Sequence, residues 1–185
     1  MTDWNERYSV EEDKELRKPA SSLVELFSQK GRGRALDIAC GDGRNAIFLA
    51  SQGYEVTAVD SSEVAITRAR KLAKESSVNV GFICADLETC EIEESSYDLI
   101  ICYYYLQRSI ISAMKKGLKK NGVIIFETYT IGQRDIGRPR NKDFLLNPNE
   151  LLGLFNEMHV KYYREGIFLE EGMKKAIATI VCGKA

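Results

Sequence analysis

Apolar residues along the chain follow two spacings in turn. Short continuous runs at Arg34-Ala35-Leu36-Asp37-Ile38-Ala39, at 54–59, at 78–85 and at 97–102 predict strands buried on both faces. Between them apolar positions recur every three or four residues, as in Ala46, Ile47, Leu49 and Ala50, and again in Ala65, Ala69, Leu72 and Ala73. That period predicts helices over 44–52 and 62–74. A further helix is expected over 107–118, followed by a Lys119-Lys120-Asn121-Gly122 turn into the strand Val123-Ile124-Ile125-Phe126. Upstream, Ser22-Leu23-Val24-Glu25 has the form of a capping box for a helix running toward Lys30, with Leu23, Leu26 and Phe27 on its apolar face. Asn147-Pro148-Asn149-Glu150 predicts another helix start, with Asn147 as cap and Leu151, Leu154 and Phe155 as the buried face. The stretches 160–168 and 176–182, on either side of Gly172, read as two strands joined by a reversing turn.

The βαβαβ alternation argues for a doubly wound, Rossmann-like α/β sheet with helices on both faces, and ligands on such sheets lie beyond the carboxyl ends of the strands. The chain has 185 residues and shows no repeat or linker, so a single domain over 1–185 is expected. Residues 1–30 form a charged helical segment in which Trp4 and Tyr8 are four apart, suited to one aromatic face of a lid. The irregular stretch 129–147 follows the fifth strand and is expected to border a substrate pocket.

The first strand ends in Leu36-Asp37-Ile38-Ala39-Cys40-Gly41-Asp42-Gly43-Arg44-Asn45. Glycines at 41 and 43 allow a tight turn and close approach of a ligand to bare backbone. The string also satisfies the dinucleotide glycine pattern, but a pyrophosphate favours a helix N-terminus without carboxylates beside it, and here Asp37 and Asp42 flank the turn. S-adenosylmethionine carries an ammonium, a sulfonium and a carboxylate with no phosphate, and fits the acids better. Asp60 closes the second strand at an offset suited to ribose hydroxyls, and Asp86 closes the third.

From Asp37 to Asp86 the chain resembles the class I S-adenosylmethionine-dependent methyltransferases, which usually have glycine where this chain has Ala39. The resemblance implies a seven-stranded sheet, mostly parallel and ending in an antiparallel hairpin. It also implies S-adenosylmethionine as cofactor, with Asp37, Ala39, Gly41, Gly43 and Asn45 around the methionine end, and Asp60 and Ser61 at the ribose. Asp86 and Leu87 would read the adenine, and Cys102 and Tyr103 would face the methionine part. Three further segments, Trp4-Asn5-Glu6-Arg7-Tyr8, Tyr105-Leu106-Gln107-Arg108 and Gly137-Arg138-Pro139-Arg140-Asn141, look like the small tellurite-resistance-like methyltransferases. That family name does not specify a substrate.

Twenty-six basic residues against 27 acidic give a net charge of −1, which provides no overall attraction to nucleic acid or an anionic membrane. Met1-Thr2-Asp3-Trp4 lacks the basic start and apolar run of a signal peptide, so a soluble cytoplasmic protein acting on a small molecule is expected. The oligomeric state is not legible. The lone His159 forms no metal-ligand pattern, and no metal is expected. The five cysteines form no C-x-x-C pair, and Cys84, Cys102 and Cys182 sit in apolar runs as buried thiols. Cys40 and Cys102, near strand ends, are the pair to test for soft-metalloid chemistry.

Methyl transfer from a sulfonium is an in-line displacement that depends on alignment and water exclusion, and no dedicated base stands out. Tyr103 and Tyr105 after the fourth strand, and Arg108 and Arg138 as oxyanion binders or partners of structural carboxylates, are the substrate-pocket candidates. The Lys115-Lys116, Lys119-Lys120 and Lys174-Lys175 pairs read as solvated faces. Two other readings remain open, a nicotinamide-dependent oxidoreductase and a non-catalytic S-adenosylmethionine-binding regulator.

Overall fold

The computed structural model describes residues 4–9, 16–26, 33–170 and 172–184. Its strands are β1 (Arg34–Ile38), β2 (Glu55–Asp60), β3 (Val80–Cys84), β4 (Tyr97–Tyr103), β5 (Leu118–Tyr129), β6 (His159–Glu170) and β7 (Met173–Gly183). They form a seven-stranded sheet in the order β3-β2-β1-β4-β5-β7-β6. The expected mostly parallel sheet with an antiparallel C-terminal hairpin is present. The chain divides into two compact units, Met1–Glu91 and Ile92–Ala185.

In the first unit β1 pairs parallel with β2, from Arg34 opposite Glu55 to Ile38 opposite Val59, and β2 pairs parallel with β3. Helix α3 (Arg44–Ser51) follows β1 and α4 (Glu63–Glu75) follows β2. Ser62 starts α4 by accepting the Ala65 amide at 3.2 Å, as an N-cap serine does. The core of this unit is built from Leu36, Ile38, Leu49, Ala58, Ile66 and Ala69, all buried. At the edge of the sheet β3 is open to solvent, and Cys84 on it is exposed. The expectation that Cys84 is a buried thiol is therefore corrected: an edge strand has a neighbour on one side only, so an apolar run does not guarantee burial there.

Two short helices precede the sheet, α1 (Trp4–Ser9) and α2 (Ser21–Leu26). The Val24 amide bonds the Ala20 carbonyl at 3.1 Å, so α2 begins two residues earlier than the capping box at Ser22 predicts. Asn45 on α3 holds the Ala20 amide at 2.9 Å and sets that start. Phe27 and Lys30, and the side chain of Trp4, lie outside the described residues.

In the second unit β4 pairs parallel with β5, and β7 lies antiparallel between β5 and β6. Helix α5 (Ile110–Gly117) begins after the turn at 107–109 and leads straight into β5. The predicted Lys119-Lys120-Asn121-Gly122 turn survives inside β5 as a bulge: Tyr97 pairs with Leu118, yet Leu99 pairs with Val123. Asn121 supplies the left-handed residue of that bulge, at φ 64°. Helix α6 (Glu150–Leu154) starts two residues later than a cap at Asn147 predicts, after the left-handed Asn149, whose side chain makes no capping bond, while Glu150 does reach back to the Asn147 amide at 2.8 Å as in a capping box. Phe126 and Phe155 pack together in this core with ring centres 5.8 Å apart.

Candidate functional site

The turn between β1 and α3 is built on three left-handed residues, Ala39 at φ 58°, Gly41 at 55° and Gly43 at 81°. Glycine adopts this conformation freely, whereas Ala39 adopts it at a steric cost, which is why a glycine suits that position. Space is tight as well. A Cβ on Gly43 would come within 3.0 Å of Ala69 and Phe82, and one on Gly41 within 2.4 Å of the Tyr8 hydroxyl. Gly43 is thus demanded by packing of the turn onto α4 and β3, and Gly41 by what lies over the turn.

Asp37 is 1% exposed on β1, directly ahead of the turn. Its carboxyl is pushed up to about 8, first by burial and then by the charge of Asp60, against the opposing pull of Arg44 and an amide bond from Ala46. Its Oδ2 is buried and has no hydrogen-bond partner among the described residues. An orphaned carboxylate oxygen in a closed interior is costly, and a cationic donor such as the ammonium of S-adenosylmethionine would satisfy it. Asp60, at the end of β2, accepts the Gly41 amide at 2.8 Å and the Ser62 amide at 2.9 Å. Burial nonetheless raises its carboxyl above the ordinary range. Each of its oxygens keeps a second lone pair, so hydroxyl donors such as those of a ribose can still be accepted.

Three residues of the N-terminal segment join this site, and spacing gave little warning of them. The Arg17 guanidinium grips Asp42 through two bonds of 3.0 and 2.9 Å. Asn5 accepts from the Ser62 hydroxyl at 2.8 Å, and Arg68 on α4 donates to the Tyr8 carbonyl at 3.2 Å. Helix α1 is thereby held on α4, with the Tyr8 phenol over Gly41. Burial, followed by the negative charges of Asp60 and Asp42, raises the Tyr8 hydroxyl far above its usual range, so it stays protonated. The acid at 42, read from the sequence as a bare charge beside the glycines, is internally paired.

Other candidates of this unit take varied positions. Asn45 is buried, with its Oδ1 on the Ala20 amide. Ser61 is exposed beside Asp60. Asp86 is exposed after β3, where it accepts the Glu88 amide at 2.9 Å, and Leu87 next to it is buried. The Cys40 thiol is held well above its ordinary range by burial and by Asp37, and donates to the Gly41 carbonyl at 3.7 Å. A thiol kept protonated in this way is a poor nucleophile or soft-metal ligand. Among the described residues no group of three or more His, Cys, Asp or Glu is placed to hold a metal ion.

In the second unit Cys102 and Tyr103 end β4 and are buried. Tyr104 is left-handed at φ 57° and turns the chain there. The Tyr105 hydroxyl donates to Gln107 Oε1. Arg108 is committed internally: it grips Glu150 through 2.5 and 3.1 Å bonds and donates to the Asp143 and Leu145 carbonyls, both at 3.1 Å. Of its two sequence readings, the structure shows the structural carboxylate partner. Arg138 is exposed and lines a cavity of about 400 Å³ with Tyr129, Gln133, Ile136, Met173 and the paired lysines 174 and 175. Lys175 is not the solvated residue expected from sequence: it is 6% exposed, with its ammonium 4.5 Å from the centre of the Tyr104 ring.

Residues 35–122 match the methyltransferase domain family. A probable S-adenosyl-L-methionine-dependent methyltransferase, TehB of Haemophilus influenzae, is 27% identical over 74% of this chain and 47% of its own length. A ubiquinone biosynthesis O-methyltransferase of Rickettsia akari is 34% identical over 50% of this chain and 39% of its own length. The chain thus spans less than half of the curated relatives it matches. Among solved structures, TehB of H. influenzae superposes with a TM-score of 0.74 at 23% identity, covering 89% of this chain and 60% of that one. An S-adenosylmethionine-dependent methyltransferase from Aquifex aeolicus superposes with a TM-score of 0.72 at 15% identity over the whole of both chains. The glycine turn with its buried acid, the seven-stranded sheet and these likenesses agree: residues 35–122 match the methyltransferase domain family, and the chain is similar to the class I S-adenosylmethionine-dependent methyltransferases of the TehB kind.

Proposed function

We propose that the protein is an S-adenosylmethionine-dependent methyltransferase that acts on a small-molecule acceptor in the cytoplasm. The observation that carries this reading is the fully buried Asp37, whose Oδ2 lacks a donor among the described residues at the head of a left-handed glycine turn. When bound, S-adenosylmethionine supplies an electrophilic methyl carbon on a sulfonium. Asp37 binds the ammonium, and the backbone of 39–43 accommodates the methionine end with Asn45 nearby. Asp60 and Ser61 take the ribose hydroxyls, while Asp86 and Leu87 take the adenine. Cys102 and Tyr103 complete the methionine side, and Tyr103, Tyr105 and Arg138 serve the acceptor. Arg108 orders the loop before α6 through Glu150. The N-terminal segment acts as a lid whose Tyr8 excludes water from the glycine turn, the condition under which an in-line displacement needs alignment more than proton transfer.

The test is titration calorimetry of the full chain with S-adenosylmethionine and, separately, with NAD. Saturable binding of the first and none of the second supports the reading, and the reverse overturns it. Incubation with methyl-labelled cofactor and cell extract, read by mass spectrometry, identifies the acceptor. Binding without any labelled product would favour a regulator.

A further inference from the structure

The cavity of the second unit differs in charge from the rest of the molecule. The whole chain is nearly neutral, with 26 basic and 27 acidic residues, but among the described residues the cavity is lined by Arg138, Lys174 and Lys175 and by no carboxylate. Lys175 is engaged with Tyr104, whose hydroxyl it also meets at 3.3 Å. Among the described residues neither Arg138 nor Lys174 forms an ion pair, in contrast to Arg108, which pairs with Glu150. The acids Glu127 and Glu170 are both held by Arg164, at 3.3 and 2.7 Å, and neither is among the described lining residues.

The lining is also ordered. Gln133 is 5% exposed and works in both directions: its Nε2 donates to the Arg138 carbonyl at 3.0 Å and its Oε1 accepts the Ala176 amide at 2.9 Å. The amides of Ile136 and Gly137 both return to the Gln133 carbonyl, at 3.0 and 2.8 Å. The loop after β5 is thereby pinned to the start of β7. Tyr129, Ile136 and Met173 give the same cavity an apolar wall, in a volume that suits a small organic ligand. Two cations without an ion-pair partner among the described residues, Arg138 and Lys174, beside an apolar wall favour a ligand with an anionic head and an apolar body.

We propose that this cavity binds an apolar organic anion, a carboxylate, sulfonate or phosphate ester, with Arg138 and Lys174 on its oxyanion and Tyr129, Ile136 and Met173 on its body. Identification of that anion as the methyl acceptor rests on the function proposed above, whereas its binding does not. The experiment compares two fluorescent probes of the same shape on the full chain: 8-anilino-1-naphthalenesulfonate and the uncharged N-phenyl-1-naphthylamine. The sulfonate is expected to bind at least about tenfold more tightly at low salt, with the advantage shrinking as salt is raised. In the double variant Arg138→Gln, Lys174→Gln the two probes are expected to bind within about twofold of each other. The control Lys116→Gln, Lys120→Gln removes two exposed charges elsewhere and retains the preference. Arg138→Lys keeps a charge at the cavity and part of the preference should the double variant not fold.

Equal binding of the probes by the unaltered protein, or a preference that survives the double variant, overturns the proposal. S-adenosylmethionine titration of the same samples separates the two questions: a chain that discriminates the sulfonate but ignores the cofactor refutes the methyltransferase reading and leaves the cavity standing.

Discussion

Asp37 shows how one residue couples folding, pH and ligand. Its folded carboxyl, at about 8, stands above the ordinary value of 3.8, so the folded chain holds a proton that the unfolded chain releases. Its contribution to stability is fully present below the unfolded value and is lost as pH rises through about 8. Urea unfolding of the ligand-free protein at several pH values is expected to show this loss, at no more than about 1.4 kcal/mol per pH unit for one proton. Asp37→Asn is expected to flatten that part of the profile. An ammonium placed on the same carboxylate stabilises its charged form, so S-adenosylmethionine binding should release a proton. The affinity should accordingly rise between about pH 6 and pH 8, by up to tenfold per unit, and calorimetry in buffers of different ionisation enthalpy reads the proton directly. Gly43 shows the steric counterpart. With Ala69 and Phe82 at 3.0 Å from a new Cβ and φ at 81°, Gly43→Ala is expected to cost about 1 to 3 kcal/mol of stability, measured by urea unfolding.

At the scale of elements, the hairpin β6–β7 contains a buried charge network whose removal has a defined consequence. Glu127 on β5 is fully buried; its Oε2 accepts from the Thr179 hydroxyl at 2.7 Å and from Arg164, which also binds Glu170. Arg164 further stacks on the Phe168 ring, 4.5 Å from its centre. Arg164→Met retains bulk but removes the cation that Arg164 supplies to the buried Glu127 and Glu170, and is expected to destabilise the protein by about 3 to 5 kcal/mol. Combining it with Glu127→Gln should recover part of the loss, and a double-mutant cycle in urea reads the coupling. None of this network was legible beforehand, because its members are 37 and 6 residues apart and acquire one another only through strand pairing. The strands themselves were legible. Their apolar runs place β1, β2 and β4 within a few residues, since burial on both faces leaves a local signature, whereas the mostly exposed edge strand β6 was placed by the reversing turn at Gly172 that joins it to the buried β7. Helix starts were less so: Asn45 moves the start of α2 through its bond to the Ala20 amide, and α6 starts after Asn149 although Glu150 makes the predicted contact with the Asn147 amide.

At the scale of the whole molecule, ligand binding and stability are linked by mass action. At a free S-adenosylmethionine concentration a hundred times its Kd, the folded chain gains about 2.7 kcal/mol. For a chain of this size that corresponds to a rise of about 5 to 11 °C in Tm, which differential scanning calorimetry checks; NAD should leave the midpoint unmoved. No helix among the described residues is long and apolar enough to cross a membrane. The sequence by itself determined the alternation of strands and helices and the position of the glycine turn with Asp37, Asp60 and Asp86 at three strand ends. Each of these depends on residue types and spacings within a short window. Tertiary structure alone decided which charges are spent and which are available. It paired Arg17 with Asp42 and Arg108 with Glu150, left Arg138 and Lys174 without ion-pair partners among the described residues at one cavity, exposed Cys84 and buried Lys175. Such outcomes depend on distances between residues remote in the chain, and periodicity carries no record of those distances.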